Sequence, residues 1–479
     1  MDARSYVEAN ANGFFDALKE WLAIPSISAD PARHGDVRRS AEWLAAHLRG
    51  AGFPGTEIWE TGGDGQDDGL PAVFAEWPAE DPAAPVVLIY GHHDVQPVEP
   101  LEEWQSPPFE PSERDGRLMA RGASDDKGQV LFHALGVRAG LAASGRGAPP
   151  VTIKLLIEGE EESGSPNFAG LLRQQRARLD CDVIVVSDTT MWSADVPSMC
   201  TGMRGLIDAQ IDLTGPSRDL HSGSFGGAVP NPLHALAAMM AGLHDDAGRV
   251  TLPGFYDDVL PLTEEERELF ARLPFDEKAW LVDAGDSRVP DGEQGFSTLE
   301  RIWARPTAEL NGMWGGHTGP GPKTIIPREA HAKVSFRLVA DQDPADVAAA
   351  LREYVADHTP PGIEARVTFG GPGVRPSQSP IHSPAVRLAR GAMARAFGRD
   401  ILFTREGGSG PEADLADILG APLVFVAVGL DSDRIHAPNE KVEMDLLLKG
   451  AEAAAYLWED MASAAGELTS VAARTEQRP

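Results

Sequence analysis

The feature that most constrains this chain is a set of four short, nearly continuous apolar runs: Val86 to Tyr90, Val151 to Ile157, Val183 to Val186, and Leu423 to Val428. A strand with one wet face alternates apolar and polar residues, whereas a strand that is apolar throughout must be covered on both faces. Helical segments able to cover it lie nearby. Phe14, Leu18, Trp21 and Leu22 share one helical stripe, and Val37, Ala41, Leu44 and Leu48 share another. The pattern predicts an α/β fold in which helices sandwich a mostly parallel, mixed sheet, built from the first and last parts of the chain.

Between those parts the period changes. Ile207, Ala209, Ile211 and Leu213 alternate with Asp208, Gln210 and Asp212, and the alternation recurs at Ala332, Val334, Phe336 and Leu338 and at Ile363, Ala365, Val367 and Phe369. Strands of this kind form an antiparallel sheet covered on one side. Covering helices are expected from Leu233 to Leu243, after the start signal Asn231-Pro232, and around Val347, Leu351 and Tyr354. An α+β domain is therefore expected as an insertion, with the α/β domain at 1–203 and 381–479 and the insert at 204–380. Within the insert, 245–318 is acidic and shows no legible period. The polar residues from Gly466 to Pro479 are expected to fray.

Composition narrows the partners. At 479 residues the chain is too long for one ordinary domain, and 42 Lys plus Arg against 73 Asp plus Glu gives a formal charge of −31. That balance, without a basic cluster, argues against nucleic acid and anionic membranes as partners. The two cysteines, Cys181 and Cys200, form no disulfide framework, and no run of about 18 apolar residues occurs. The start, with Asp2, Arg4 and Glu8, lacks the apolar core of a secretory signal. A cytoplasmic protein is expected.

Ligands of open α/β sheets bind just past the carboxyl ends of the strands. After Tyr90 come His92, His93 and Asp94; after Ile157 come Glu160, Glu161 and Glu162; after Val186 comes Asp188; and after Val428 comes His436. Asp125 and Asp126 open the helix around Val130 to Leu135. These clusters converge on one rim. Imidazoles with several carboxylates suit zinc, manganese or cobalt, and more carboxylates converge than one tetrahedral ion can use, which favours a two-ion centre. Asp94 is spaced to turn back on His92 and fix its tautomer, and His93 is expected to point the other way and be structural.

At this point the sequence resembles a known family. Gly91-His92-His93-Asp94-Val95-Gln96-Pro97, Arg121-Gly122-Ala123-Ser124-Asp125-Asp126-Lys127-Gly128 and Glu158-Gly159-Glu160-Glu161-Glu162-Ser163-Gly164-Ser165 look like the signature blocks of one metallopeptidase family. It comprises carnosinase-like dipeptidases, glutamate-releasing carboxypeptidases, and acylamino-acid, acetylornithine and succinyl-diaminopimelate deacylases. The resemblance implies two divalent ions, one held by His92, Asp125 and Asp188 and the other by Asp125, Glu162 and His436. It also implies Glu161 as general base, Asp94 as the partner of His92, and a cis peptide after Asp125.

The nearer resemblance is to the dipeptidase branch. Asp219-Leu220-His221-Ser222-Gly223, Lys323-Thr324-Ile325-Ile326-Pro327, Arg337-Leu338-Val339 and Arg405-Glu406-Gly407-Gly408-Ser409 look like its lid and substrate segments. By that likeness Arg337 grips the terminal carboxylate of a small peptide, with Thr324 and Ser409 as neighbouring donors. His221 polarises the scissile carbonyl from the other subunit of a homodimer. The resemblance leaves two other readings: an amidohydrolase acting on N-acyl or N-succinyl amino acids, and a non-catalytic protein on the same fold.

Overall fold

The computed structural model describes residues 1–62 and 69–468. Its two main sheets are built from β1 (Gly55–Trp59), β2 (Ala72–Trp77), β3 (Val86–His92), β4 (Thr152–Glu158), β5 (Val183–Val186), β6 (Gly205–Thr214), β7 (Thr307–Gly315), β8 (Glu329–Leu338), β9 (Glu364–Phe369) and β10 (Leu423–Phe425). The chain groups into two compact units. One comprises Met1–Thr201, Ser379–Thr404 and the chain from Pro411 onward; the other comprises Gly202–Gln378 with Arg405–Gly410.

In the first unit the strand order is β1-β2-β4-β3-β5-β10. Strands β4, β3, β5 and β10 run parallel, and β2 and β1 add an antiparallel edge. The apolar runs behave as their composition requires, with Val87 to Tyr90 and Val183 to Val186 all at 0% exposure. The helices Ala3–Leu22, Lys127–Ser144 and Met444–Ser463 pack on one another. Their approach is close enough that a Cβ at Gly136 would lie 2.8 Å from the carbonyl of Ala451. From β3 the chain passes through helix Lys127–Ser144 to β4 on one side, then through helix Phe168–Leu179 to β5 on the other. The order thus reverses around β3, which places a topological switch point at its carboxyl end.

The second unit holds an antiparallel sheet in the order β7-β8-β6-β9. Ala332, Val334, Phe336 and Leu338 of β8 are buried with residues of the helices Pro232–Ala241 and Pro344–His358. Asn231 and Asp343 cap those helices by accepting from the backbone N–H of Leu233 and Ala345. The sequence reading around β9 needs one correction: Ile363 is buried in the core and Val367 and Phe369 pack against it, but Ala365 is exposed, because β9 is an edge strand. The segment without a legible period contains the helices Glu264–Ala271, Glu277–Asp283 and Thr298–Ala304, and then β7. Strand β7 escaped notice because it is also an edge, with a register shift between Leu310 and Gly312 and with Leu310, Met313 and Trp314 exposed.

Two boundaries differ from expectation. The loop Arg405–Gly410, read from the sequence as part of the catalytic domain, groups with the second unit. It is held there by Arg337 donating to Ser409, by Arg204 donating to the carbonyl of Gly407, and by an ion pair of Arg405 with Glu266. Of the expected frayed end, residues 469–479 lie outside the described residues, whereas Leu468 is buried. Among the described residues, no helix is long and apolar enough to cross a membrane.

One buried histidine in the first unit gives a pH test of stability. The His133 Nε2–H donates to Ser187 Oγ at 2.6 Å, and the Ser187 hydroxyl in turn donates to the carbonyl of Val426, also at 2.6 Å. Nδ1 has no partner, and burial pushes the pKa down from 6.5 to about 3. Between those values the unfolded chain carries a proton that the folded chain refuses, so stability is lost as pH falls through this window. Denaturant unfolding at stepped pH is expected to show this fall, and His133→Gln, which keeps a donor but cannot titrate, should flatten it.

Candidate metal centre

The centre is assembled on the carboxyl edge of the parallel strands. His92 is the last residue of β3; Glu161 and Glu162 lie in a 3₁₀ turn just past β4; Asp188 follows β5 by two residues; and Asp125 sits before helix Lys127–Ser144. Space at the end of β3 is tight. A Cβ on Gly91 would come within 2.4 Å of Asp126 Oδ2, the oxygen that accepts the N–H of His92. The Asp125–Asp126 peptide is cis, as the resemblance implied.

Asp125 is the hub. Its Oδ1 lies 2.9 Å from His92 Nε2 and its Oδ2 lies 2.9 Å from His436 Nε2. Asp188 Oδ2 stands 3.5 Å from the same nitrogen of His92, and Glu162 Oε2 stands 3.2 Å from that of His436. Two donor sets result, His92, Asp125 and Asp188 on one side and Asp125, Glu162 and His436 on the other, each with its ligand atoms within 4.8 Å of one another. A carboxylate that turns one oxygen to each set has the geometry of a bridge.

Asp94 does more than its spacing foretold. His92 Nδ1 faces it, 3.1 Å from its carbonyl and 3.4 Å from its carboxylate. That carboxylate also accepts the backbone N–H of Glu161 at 3.3 Å and of Glu162 at 3.0 Å. One buried side chain therefore orients an imidazole on β3 and fixes the turn after β4. Glu161 is pinned by its backbone, while its carboxylate takes no hydrogen bond among the described residues. Gln96 was not singled out in the sequence, yet its amide donates to Glu162 Oε2 at 2.7 Å. His93 turns away, donating to the carbonyl of Pro71 at 2.9 Å, and burial pushes its pKa down to about 4.

The electrostatics test whether cations fit. Burial pushes the carboxyl of Glu162 up to about 7, with the Asp125 charge adding to the shift, and pushes Asp188 up to about 6. Burial likewise drives Glu161 well above the ordinary range, aided by Asp188 and Glu162. For His92, burial alone would lower the pKa, but the surrounding aspartates outweigh it and raise it. Hydrogen bonds to Asp125 and Glu162 raise His436 to about 10. Crowded carboxylates resist ionising together, and bound cations remove that conflict. The donors are nitrogen and oxygen at the spacing two divalent ions require, so the residues fit such a centre.

Further candidates belong to the second unit and fall into two groups. His221 is exposed on a two-residue strand paired with Ile325–Ile326, and the next residue, Ser222, donates its N–H to the carbonyl of Thr324. Its Nδ1 accepts the N–H of Gly223 at 3.0 Å, which leaves Nε2 to carry the ring proton outward. Elsewhere, half-buried Arg337 donates to Ser409 Oγ at 2.9 Å and has no carboxylate partner among the described residues. It lines a cavity of about 730 Å³ together with Arg204 and Glu309.

Two imidazoles facing the two oxygens of one carboxylate, with a free carboxylate beside them, define the class of metal-dependent hydrolases. The description "Peptidase family M20/M25/M40" matches residues 88–460, and the chain belongs to this family. It is a hydrolase acting on peptide bonds. The Cys-Gly metallodipeptidase dug1 of Schizosaccharomyces pombe is 31% identical over 459 residues, covering 93% of this chain and 94% of its own. The human Beta-Ala-His dipeptidase is 30% identical over 475 residues, covering 95% and 92%. The solved structure of the dipeptidase Dug1p from Saccharomyces cerevisiae is similar at a TM-score of 0.76 and 27% identity, covering 96% of this chain and 98% of that one.

Proposed function

We propose that this chain is a dinuclear metallodipeptidase that hydrolyses the amide bond of small peptides, with Asp125 bridging the ions. The observation that carries the reading is the carboxylate of Asp125, which turns one oxygen to His92 and the other to His436. His92 and Asp188 complete one site, and Glu162 and His436 the other. Zinc suits the imidazole and carboxylate donors best, with manganese or cobalt as alternatives. Two such ions would polarise the scissile carbonyl and acidify the attacking water.

The protein's own groups supply the rest. Glu161, held by its backbone with its carboxylate free, takes the proton of the attacking water and hands it to the leaving nitrogen. Asp94 keeps His92 in the tautomer that offers Nε2 to the ion. His221 carries an outward Nε2–H suited to the developing oxyanion, and in this reading it acts on the centre of the partner subunit of a homodimer. Arg337, with no carboxylate of its own, binds the substrate's terminal carboxylate, assisted by Ser409 and Thr324. The exposed apolar residues Leu310, Met313 and Trp314 on edge strand β7 offer one surface for a second copy. Neither Cys181 nor Cys200 forms a disulfide, which suits a cytoplasmic setting.

Four outcomes are expected. The chain should bind two ions, with Asp188→Ala and His436→Ala each binding one and Asp125→Ala losing tight binding of both, read by metal analysis after gel filtration. Glu161→Gln should keep both ions and lower kcat by about 10²- to 10⁴-fold; near-normal turnover would remove Glu161 from the mechanism. Arg337→Ala should raise KM for dipeptides with a free terminal carboxylate and leave amidated analogues nearly unchanged. Assayed with zinc and with manganese, dipeptides should be cleaved in preference to N-acyl amino acids, and the reverse preference would favour an amidohydrolase.

A further inference from the structure

The loop that carries His436 is unusual in its backbone. Arg434, His436 and Asn439 all have positive φ, at 60°, 59° and 68°, although none is glycine. A loop of this kind holds its shape only if its surroundings over-determine it. Its ends are fastened to a single target, the turn that leads into Asp125.

Three residues before His436, the buried Asp433 accepts Ser124 Oγ at 2.8 Å and the N–H of Leu430 at 2.9 Å on one oxygen, and Lys441 Nζ at 2.5 Å on the other. Four residues after it, Glu440 lies at 0% exposure inside the turn. One oxygen of Glu440 accepts Arg121 Nη1 at 2.8 Å and the N–H of Gly122 at 2.9 Å. The other accepts the N–H of Ser124 at 3.0 Å and of Asp125 at 3.2 Å. All of its acceptor capacity is thus spent on the five residues ending at Asp125. The carbonyl of Glu440 also accepts the N–H of Ala120, at 3.1 Å. Between these fastenings, Asn439 bonds the N–H of Gln105 and the carbonyl of Glu103.

We infer that Glu440, assisted by Asp433, is a positioning residue that sets the distance between Asp125 and His436 and so the affinity of the half-site made by Asp125, Glu162 and His436. This rests on the two-ion reading above. His92 and Asp188 reach Asp125 from β3 and β5 without this loop, so the other half-site depends on Glu440 only through Asp125. Glu440→Gln has the right shape and the wrong polarity, because either orientation of the amide sets its NH₂ against two N–H donors.

The test is zinc titration of the full chain by competition with a chromophoric chelator, with cobalt absorption spectra as a second readout. The wild type, Glu440→Gln, Asp433→Asn and a control, Tyr354→Phe, which removes a buried hydroxyl that donates to the carbonyl of Met239 within the second unit, are compared. Glu440→Gln is expected to weaken the second ion by about 10- to 100-fold, the range seen when the groups supporting metal ligands are replaced. The first ion should weaken clearly less, and excess zinc should restore full occupancy. Tyr354→Phe, which alters only packing inside the second unit, should leave both affinities unchanged. If Glu440→Gln fails to fold, Asp433→Asn carries the same expectation. Unchanged affinities in the folded clasp variants, or equal weakening of both ions, overturn the inference. A wild type that binds fewer than two ions overturns the two-ion reading instead, so the two failures are distinguishable.

Discussion

Everything at the centre depends on the crowding of carboxylates around Asp125, where burial opposes their charged forms. Asp125, Asp188, Glu161 and Glu162 come together at the ends of parallel strands, and among the described residues His92 and His436 are the imidazoles that approach them closely. Such a group is poor as an ion network, because burial and mutual repulsion push Glu162, Asp188 and Glu161 toward their neutral forms. It becomes sensible as a cage for cations. The same low-dielectric setting that makes crowded carboxylates costly would make a bound divalent ion effective.

Several of the candidate ligands are held from behind. Asp94 ties the imidazole of His92 to the backbone of Glu161 and Glu162, so that two strands are locked through one carboxylate. Gln96 steers Glu162, and Glu440 with Asp433 fastens the His436 loop to the turn of Asp125. Left-handed conformations at non-glycine residues cost on the order of 1 kcal/mol each, and the His436 loop contains three of them. The buried hydrogen bonds of Glu440 and Asp433 offset that cost where precision matters most.

Parts of the fold were legible because their pattern is local. Unbroken apolar runs gave the parallel strands, and the strict alternation of β6 and β8 gave the second sheet. Edge strands were not legible, since β1, β7 and β9 bury little and so carry little pattern; β2 went unread although it is buried, its short apolar run being interrupted by Glu76. The helices Glu264–Ala271 and Thr298–Ala304 could have been found from their capping boxes, Thr263 with Glu266 and Ser297 with Glu300.

For the centre, the sequence by itself determined the donors, because metal chemistry restricts them to imidazole and carboxylate and the end of each buried strand limits where to look. It also placed Glu161 next to Glu162, and Asp94 two residues from His92. Only the tertiary structure decided the spacing. His436 is 311 residues after Asp125, by subtraction of their numbers, and no local rule says that these two will meet across 2.9 Å. Nor could a sequence of scattered acids reveal that the carboxylate of Glu440 is spent on the turn of Asp125 while that of Glu161 is left free. Those assignments depend on which donors the folded chain brings within hydrogen-bonding distance, and that is a property of the whole fold rather than of any segment.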